Sequence, residues 1–379
     1  MSWLLRQKGT RNRPIIKLLI NSFNFFFNKY NLIFKTLVNT TLFYIILFLA
    51  LAITTSYYLN KYIYGVFSNN KILDPITSRS SHRSKATRSG GLSVFLSICL
   101  CFAIASSTHG LELNPYGLLG IIFMALTGIA DDFFNVRYRE KFFLQLFSGF
   151  IILQAGYEIN SFHGIFGIYE LPQGVSMAVT LFVYIIVVNA INLIDGLDGL
   201  ASLLLIKFFV VVGGVIMVSS NNMALFFPIT IGALIGFLLH NFSSAKKVFL
   251  GDTGSLFMGS VMAYFLFYIL DSSSQIVTDA YISRPLFCVL LLIYPLTDTL
   301  RVILLRSYKR QSPFVADRIH LHHRLNDKGY EHWEASLLIF CLSIFLLCIN
   351  FFLFQYLGLL LCVLLSLALM VILFFVFFK

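Results

Sequence analysis

Apolar runs long enough to cross a bilayer recur from one end of this chain to the other, and that recurrence limits the fold more than any single motif. A helix needs about 20 consecutive, mostly apolar residues to traverse the hydrocarbon core. Eleven such segments are readable, at 41–59, 91–107, 115–130, 142–157, 175–192, 199–218, 223–240, 253–270, 284–304, 334–352 and 355–378. Only 12% of the 379 residues are charged and 58% are hydrophobic, too little charge to cover a soluble domain of this length. The expected fold is therefore an all-α polytopic membrane protein of about eleven transmembrane helices. No soluble domain fits between the spans, because the longest connections, 60–90 and 305–333, are short and polar. The six cysteines lie within apolar runs without a histidine at ligand spacing, so they read as small core residues. No cleavable leader is expected, since the first strongly apolar span lies well inside the chain.

The net charge of +11 is expected to serve the membrane surface and an anionic substrate; nucleic acid is not an expected partner. The loops sort by charge. One alternating set holds Lys71, Arg79, Arg83, Lys85 and Arg88, then Arg137, Arg139 and Lys141, then Lys246 and Lys247, then Arg306, Lys309, Arg310, Arg318, Arg324 and Lys328. The other holds Arg284 against Glu112, Glu158, Glu170, Asp271 and Asp279. Short Lys/Arg-rich loops stay in the cytoplasm, which puts the first set of this multi-pass protein inside. Residues 1–40 are basic and carry no acid, yet a single span at 41–59 would place them outside. Polar residues Lys17, Asn21, Asn24, Asn28, Asn31 and Lys35 recur every three or four positions, the pattern of an interfacial helix. Residues 1–40 are thus read as a basic extension and 41–379 as the multi-spanning domain; an extra span over 15–38 is the alternative.

Acids at membrane edges are costly and mark function by default, and here they gather at the inside ends of spans. Asp131 and Asp132 end the third span. Asp195 and Asp198 lie in NAINLIDGLDGLA, Asn189 to Ala201, and Asp252 lies in VFLGDTGS, Val248 to Ser255. A carboxylate with an amide oxygen, Asp252 with Asn192, suits a hard cation such as Mg²⁺, with Mn²⁺ as a substitute. Adjacent Asp131 and Asp132 cannot both ionise cheaply, which suits a general base or a second contact to the metal. Gly196, Gly199, Gly251 and Gly254 allow backbone N–H groups close to a phosphate. Helix capping is the plainer alternative for Asp198 and Asp252. The basic loop Ser80–Gly91 brings His82 and Lys85, and RIHLHHRL brings Arg318, His320, His322 and His323, an anion site rather than a zinc site on the spacing of its ligands. Asp298 and Arg301, one turn apart, read as an ion pair, and Lys207 as a structural lysine within snorkelling range of the inside surface.

Taken in order, Ser80-Ser81-His82 through Thr87 to Gly90-Gly91, the Asp131-Asp132 pair, NAINLIDGLDGLA, Lys246 to Ser255, and RIHLHHRL resemble the polyprenyl-phosphate N-acetylhexosamine-1-phosphate transferases. The resemblance runs from about residue 74 to about residue 330. It favours the branch that begins O-antigen, common antigen or teichoic acid synthesis. Ala86-Thr87-Arg88-Ser89-Gly90-Gly91 stands where the muramoyl-pentapeptide branch has Thr-Pro-Thr-Met-Gly-Gly. It implies transfer of a sugar-1-phosphate, GlcNAc-1-phosphate being the commonest, from a UDP-N-acetylhexosamine to polyprenyl phosphate with release of UMP. It implies a cytoplasmic cleft in a multi-pass protein of the bacterial inner (plasma) membrane and is compatible with a homodimer. By position Asp252 and Asn192 match magnesium ligands, Asp131 an aspartate that orients or deprotonates the lipid phosphate, and His320, His322 and His323 a pyrophosphate-contacting loop. Phe249 matches a residue that stacks on uracil, and Asp195 and Asp198 acids of the nucleotide pocket. Phe133 to Glu140 depart from the common pattern, and no sugar contact is assigned there.

Overall fold

The computed structural model describes residues 13–73, 86–219, 223–243, 246–274, 282–308 and 320–373. His82, Lys85 and Arg318 lie outside the described residues. The chain divides into two compact units, 1–47 and 48–379. In the first, residues 13–47 are helical and belong to α1, Arg13–Asn69. The second holds the remainder of α1, β1 (Ala86–Thr87), α2 (Gly90–His109), α3 (Pro115–Phe134), α4 (Tyr138–Leu153), α5 (Gln173–Ile194), α6 (Leu200–Ser219), α7 (Phe226–Asn241), β2 (Lys247–Val248), α8 (Gly251–Leu270), α9 (Arg284–Leu291), α10 (Ile293–Tyr308), α11 (Leu321–Asp327) and α12 (His332–Leu373).

The protein is an all-α, multi-pass membrane protein, and each expected span falls on helix. Among the described residues, seven helices are long and apolar enough to cross a bilayer, or eight if α9 and α10 form one bent span. Helices α4 and α7, 16 residues each, and the segment Tyr356–Ser366 fall short by length, so the expected eleven is not reached on this measure. The 74° bend between α9 and α10 has a local cause. Pro295 lacks an N–H, and its ring crowds the carbonyl four residues earlier, at Leu291, where α9 ends. The last two expected spans run on as α12, broken at Gly358 (φ 70°) rather than at 353–354.

Helix α8 is the hub: every residue from Thr253 to Phe267 is buried. Lipid tails are as apolar as leucine, so helices in a bilayer associate through close packing and buried polar contacts. Glycines supply the first. A Cβ on Gly128 of α3 would lie 2.5 Å from the Asp252 carbonyl oxygen, and one on Gly91 of α2 would lie 2.1 Å from the Gly254 nitrogen. Gly232 and Gly236 of α7 do the same against the Leu49 and Ile53 carbonyls of α1. Polar contacts supply the second: Ser148 of α4, Tyr184 of α5 and Ser260 of α8 form a buried hydroxyl chain, and Gln145 and Asn189 exchange amide hydrogen bonds between α4 and α5.

Three side chains differ from expectation. Lys207 is only 3% exposed and its Nζ has no hydrogen-bond partner among the described residues, so it does not snorkel; its helix α6 is packed between α7 and α12. Cys341 and Cys348 lie exposed on α12, unlike buried Cys101, Cys288 and Cys362.

Candidate active site

The motifs converge because short backbone ladders tie their loops together. β1 and β2 pair in parallel, Ala86 opposite Lys247 and Thr87 opposite Val248. The pairing continues as Phe249 N–H to Thr87 O (2.8 Å), Gly90 N–H to Phe249 O (3.0 Å) and Gly91 N–H to Leu250 O (2.9 Å). This lays the end of the basic loop along the segment before Asp252. Asn241 adds a clamp: its Oδ1 accepts from Gly199 N–H at 2.6 Å and its Nδ2 donates to Val248 O at 2.8 Å. The DGLDG turn is thereby pinned to β2.

At the start of α8 the carboxylates meet around one lysine. Lys141 Nζ, from the first turn of α4, donates to Asp131 Oδ2 at 2.7 Å and to Asp252 Oδ1 at 2.6 Å. Asn192, near the end of α5, donates to the same Asp252 oxygen at 2.5 Å and to Ser255 Oγ at 2.8 Å. Amide oxygen and nitrogen exchange places by a simple flip, so Asn192 can equally turn an oxygen toward a cation. Asp252 stays 22% exposed at its side chain and Lys141 16%, which leaves this group open to a ligand.

The adjacent aspartates have different surroundings. Asp132 accepts from the backbone N–H groups of Asp252 (3.0 Å) and Thr253 (2.8 Å) and from Thr253 Oγ1 (2.6 Å). It caps α8 from a neighbouring helix, satisfying donors that the helix's own N-terminus leaves open. The plainer expectation, that Asp252 and Asp198 cap their own helices, is therefore not what is found. Leu250 occupies the N-cap position of α8 without a side-chain bond, and Asp198 faces Lys247 and His332. Gly251 is required by geometry: its φ is 69°, and a Cβ would meet Asp132 Oδ2 at 2.9 Å.

Asp195 ends α5 and accepts from Gly251 N–H at 3.1 Å. Burial, and after it the charge of Asp252, push its carboxyl well above the usual carboxylate range. Asp198 goes the other way. Burial alone would raise it, but hydrogen bonds from His332 and Lys247 outweigh burial and hold it below its ordinary value. Phe249 is half-buried, with Lys247 Nζ 5.9 Å from its ring centroid.

The histidine loop reaches the same place. His322 Nε2 lies 2.8 Å from where a Gly196 Cβ would stand, and His323 stands 3.5 Å from it. His320 and His322 stack at 5.4 Å, and His322 and His323 tilt together at 4.3 Å. The loop is held by Asp298, whose Oδ2 lies 3.0 Å from His320 Nδ1 and whose Oδ1 accepts Leu321 N–H at 2.9 Å. Both oxygens of Asp298 are thus turned to the loop, which replaces the expected Arg301 pair as its chief role. His322 is wholly buried; its Nδ1 faces Asp298 Oδ2 at 3.6 Å, and among the described residues neither ring nitrogen has a partner within hydrogen-bond distance. Burial lowers its pKa, against the opposing charge of Asp298. A buried imidazole with Asp298 behind its Nδ1 and its Nε2 beside a glycine turn is placed to meet an incoming acceptor.

Of the expected site residues, Asp131, Asp132, Asn192 and Asp252 come together at one helix end. Asp195 and the histidines are joined to it through Gly251 and Gly196, and Asp198 and Phe249 through β2. Sequence reasoning missed Lys141, counted only as a loop charge, together with Thr253, Asp298 and His332. A lysine in the first turn of an apolar helix, ten residues after paired aspartates, was the available signal for Lys141.

An all-helical membrane bundle that gathers carboxylates, one lysine and a histidine loop at one set of helix ends defines a membrane-embedded enzyme site for a charged, phosphate-bearing substrate. The comparisons narrow this class. The model of glycosyl transferase family 4 matches residues 115–270. The chain is similar to the probable undecaprenyl-phosphate N-acetylglucosaminyl 1-phosphate transferase of Bacillus subtilis, 30% identical over 72% of this chain and 74% of the relative. It is similar to the decaprenyl-phosphate N-acetylglucosaminephosphotransferase of Mycobacterium tuberculosis, 31% identical over 69% of this chain and 70% of that one. It is also similar to the undecaprenyl-phosphate alpha-N-acetylglucosaminyl 1-phosphate transferase of Yersinia pestis, at 30% over 71% and 73%. The chain belongs to this family of membrane sugar-1-phosphate transferases.

Proposed function

We propose that this protein transfers N-acetylglucosamine-1-phosphate from UDP-N-acetylglucosamine to a polyprenyl phosphate, releasing UMP, as the first step of an envelope polysaccharide. The observation that carries the reading is the meeting of Asp131, Lys141 and Asp252 within hydrogen-bond distance at the start of α8. The relatives' names supply the acceptor and the sugar. The loop-charge asymmetry supports a cytoplasmic face for this site and residence in the plasma membrane.

In the reaction an oxygen of the lipid phosphate attacks the β-phosphorus of the sugar nucleotide. The bond from that phosphorus to the bridging oxygen breaks, and UMP leaves with the oxygen. A long isoprenoid keeps its phosphate at the membrane edge, where Asp131 stands at the end of α3. Asp131 orients that phosphate and takes any proton it carries. Lys141 tethers Asp131 to Asp252 and offsets part of the phosphate charge between them. His320, His322 and His323 donate to the diphosphate oxygens, Asp298 holding the loop in place. Phe249 gives the uracil a face to stack on, with Asp195 and Asp198 behind it. The oxygen donors of Asp252 and Asn192 fit Mg²⁺, which holds few protein ligands and completes its shell with water and phosphate. When bound there it would neutralise the diphosphate and stabilise the departing UMP.

The test is turnover with purified protein, polyprenyl phosphate, Mg²⁺ and a panel of UDP-N-acetylhexosamines that includes UDP-MurNAc-pentapeptide. UMP release with UDP-GlcNAc is expected. Release only with another donor would move the assignment of the sugar, and no release with any donor would overturn the reading.

A further inference from the structure

One polar chain near this site starts from a residue that has no part in the chemistry just described. It begins on α12, at His332. His332 Nδ1 lies 2.9 Å from Asp198 Oδ2, and the same oxygen accepts from Lys247 Nζ. Two turns of one element are involved, since Ser336 Oγ donates to the Asp198 carbonyl at 2.8 Å. All three ionisable side chains are mostly buried, at 18%, 9% and 15% exposure. Lys247 in turn stands over the ring of Phe249. A path of direct contacts therefore runs from the first turn of α12 through Asp198 and Lys247 to the aromatic face.

The partners on this path differ in stiffness. A lysine side chain has four rotatable bonds and gives up much rotamer freedom when fixed. An imidazole on a helix has two. Asp198 is also anchored through its own backbone by Ser336. The carboxylate that holds Lys247 is thus oriented by its stiffer neighbours, and removing the imidazole leaves a flexible ammonium to set the geometry alone. The first turn of α12 is itself braced, because Glu331 N–H donates to Glu334 Oε2 at 2.9 Å in a capping arrangement.

We infer that His332 is a positioning residue for the nucleotide subsite: by sharing the Asp198 carboxylate with Lys247, it fixes Lys247 beside the ring of Phe249, the residue on which the uracil stacks. The inference rests on the proposed role of Phe249. It makes the affinity for the uridine portion depend on a residue of α12 that touches neither nucleotide nor lipid. The contact runs through Nδ1, so a donor at that position on the side chain is what matters. Asparagine presents its amide nitrogen there, whereas glutamine presents it one bond further out.

The experiment measures UMP as a competitive inhibitor, together with kcat and KM for the sugar nucleotide, in the full-length protein. In His332→Leu the inhibition constant for UMP and the KM should both rise roughly tenfold, with kcat within about twofold of wild type. His332→Asn should recover most of the affinity and His332→Gln little. Phe249→Leu should weaken UMP on its own, and His332→Leu added to it should weaken UMP no further, as expected for two residues acting through one contact. Melting temperatures of the same variants report whether α12 has merely loosened. Unchanged UMP affinity in His332→Leu, while Phe249→Leu loses it, would overturn the inference and leave the Phe249 reading standing. Unchanged affinity in Phe249→Leu would overturn that reading and this inference with it. Equal behaviour of the Asn and Gln variants, or a fall in kcat at constant KM, would also count against His332 as a positioning residue.

Discussion

The two ends of α8 have opposite polar economies. At its start, Asp252 lies within reach of Asp131, Asp132 and Asp195, with Lys141 as the cation that bridges two of them. That end is partly open. At its finish Asp271, 2% exposed, accepts from Asn160 and from Ser273 N–H. The buried guanidinium of Arg284 donates to the carbonyls of Ile269, Asp271 and Ser274 at 3.2, 2.6 and 2.9 Å. A cation there completes orphan carbonyls and opposes the negative helix end. Among the described residues, one end gathers four carboxylates with Lys141 and stays partly open; the other is satisfied and closed. Accessible carboxylates are what separate the candidate catalytic helix end from the closed one.

That contrast can be broken from either side. The largest effect is expected at the start of the helix: Asp252→Asn should lower UMP release by about 10²–10³-fold while leaving the melting temperature near that of wild type. Near-full turnover would remove Asp252 from the site. Lys141→Met should lower turnover by about 100-fold and also reduce stability, since two carboxylates lose their shared partner; assays at rising Mg²⁺ would show whether a divalent ion can replace the ammonium. At the far end, Arg284→Leu should do the reverse. It should destabilise by about 3 kcal/mol, through carbonyls left unpaired, with turnover per folded molecule unchanged; a selective loss of kcat would merge the two ends into one machine.

The smallest effect concerns pH. The folded-state pKa of Asp198 lies below its unfolded value, so its contribution to stability is present above about pH 4 and is lost as pH falls through the folded value. Asp198→Asn should therefore melt lower than wild type at neutral pH, and the gap should close as the solution is acidified. A gap independent of pH would mean that the carboxylate's charge is not what His332 and Lys247 hold.

Much of the fold was legible from one physical fact, that a bilayer demands long apolar helices. The positions of the helices followed directly. The break in α12 was placed a few residues early, because Gly358 carries the positive φ while the flanking apolar run shows no gap in composition. The site was legible as a set of acids and histidines, since charged residues at membrane edges are conspicuous against an apolar background. Their division of labour was not. Asp131 and Asp132 are neighbours of identical type, yet one meets Lys141 and the other caps α8. Asp298 showed only its near neighbour Arg301, whereas its partners come from more than twenty residues away.

By itself the sequence determined the helical class, the membrane setting and the inventory of ionisable groups, because each follows from local composition and the thickness of a bilayer. Only the tertiary structure decided which aspartate meets the lysine, which one holds a backbone and which is latched to α12. Those outcomes depend on how close glycine lets α2 and α3 come to α8 and on where the two-residue ladder between β1 and β2 sets its register. Contacts of that kind join residues up to 177 positions apart, as Ser56 and Ala233 are. No local pattern encodes them.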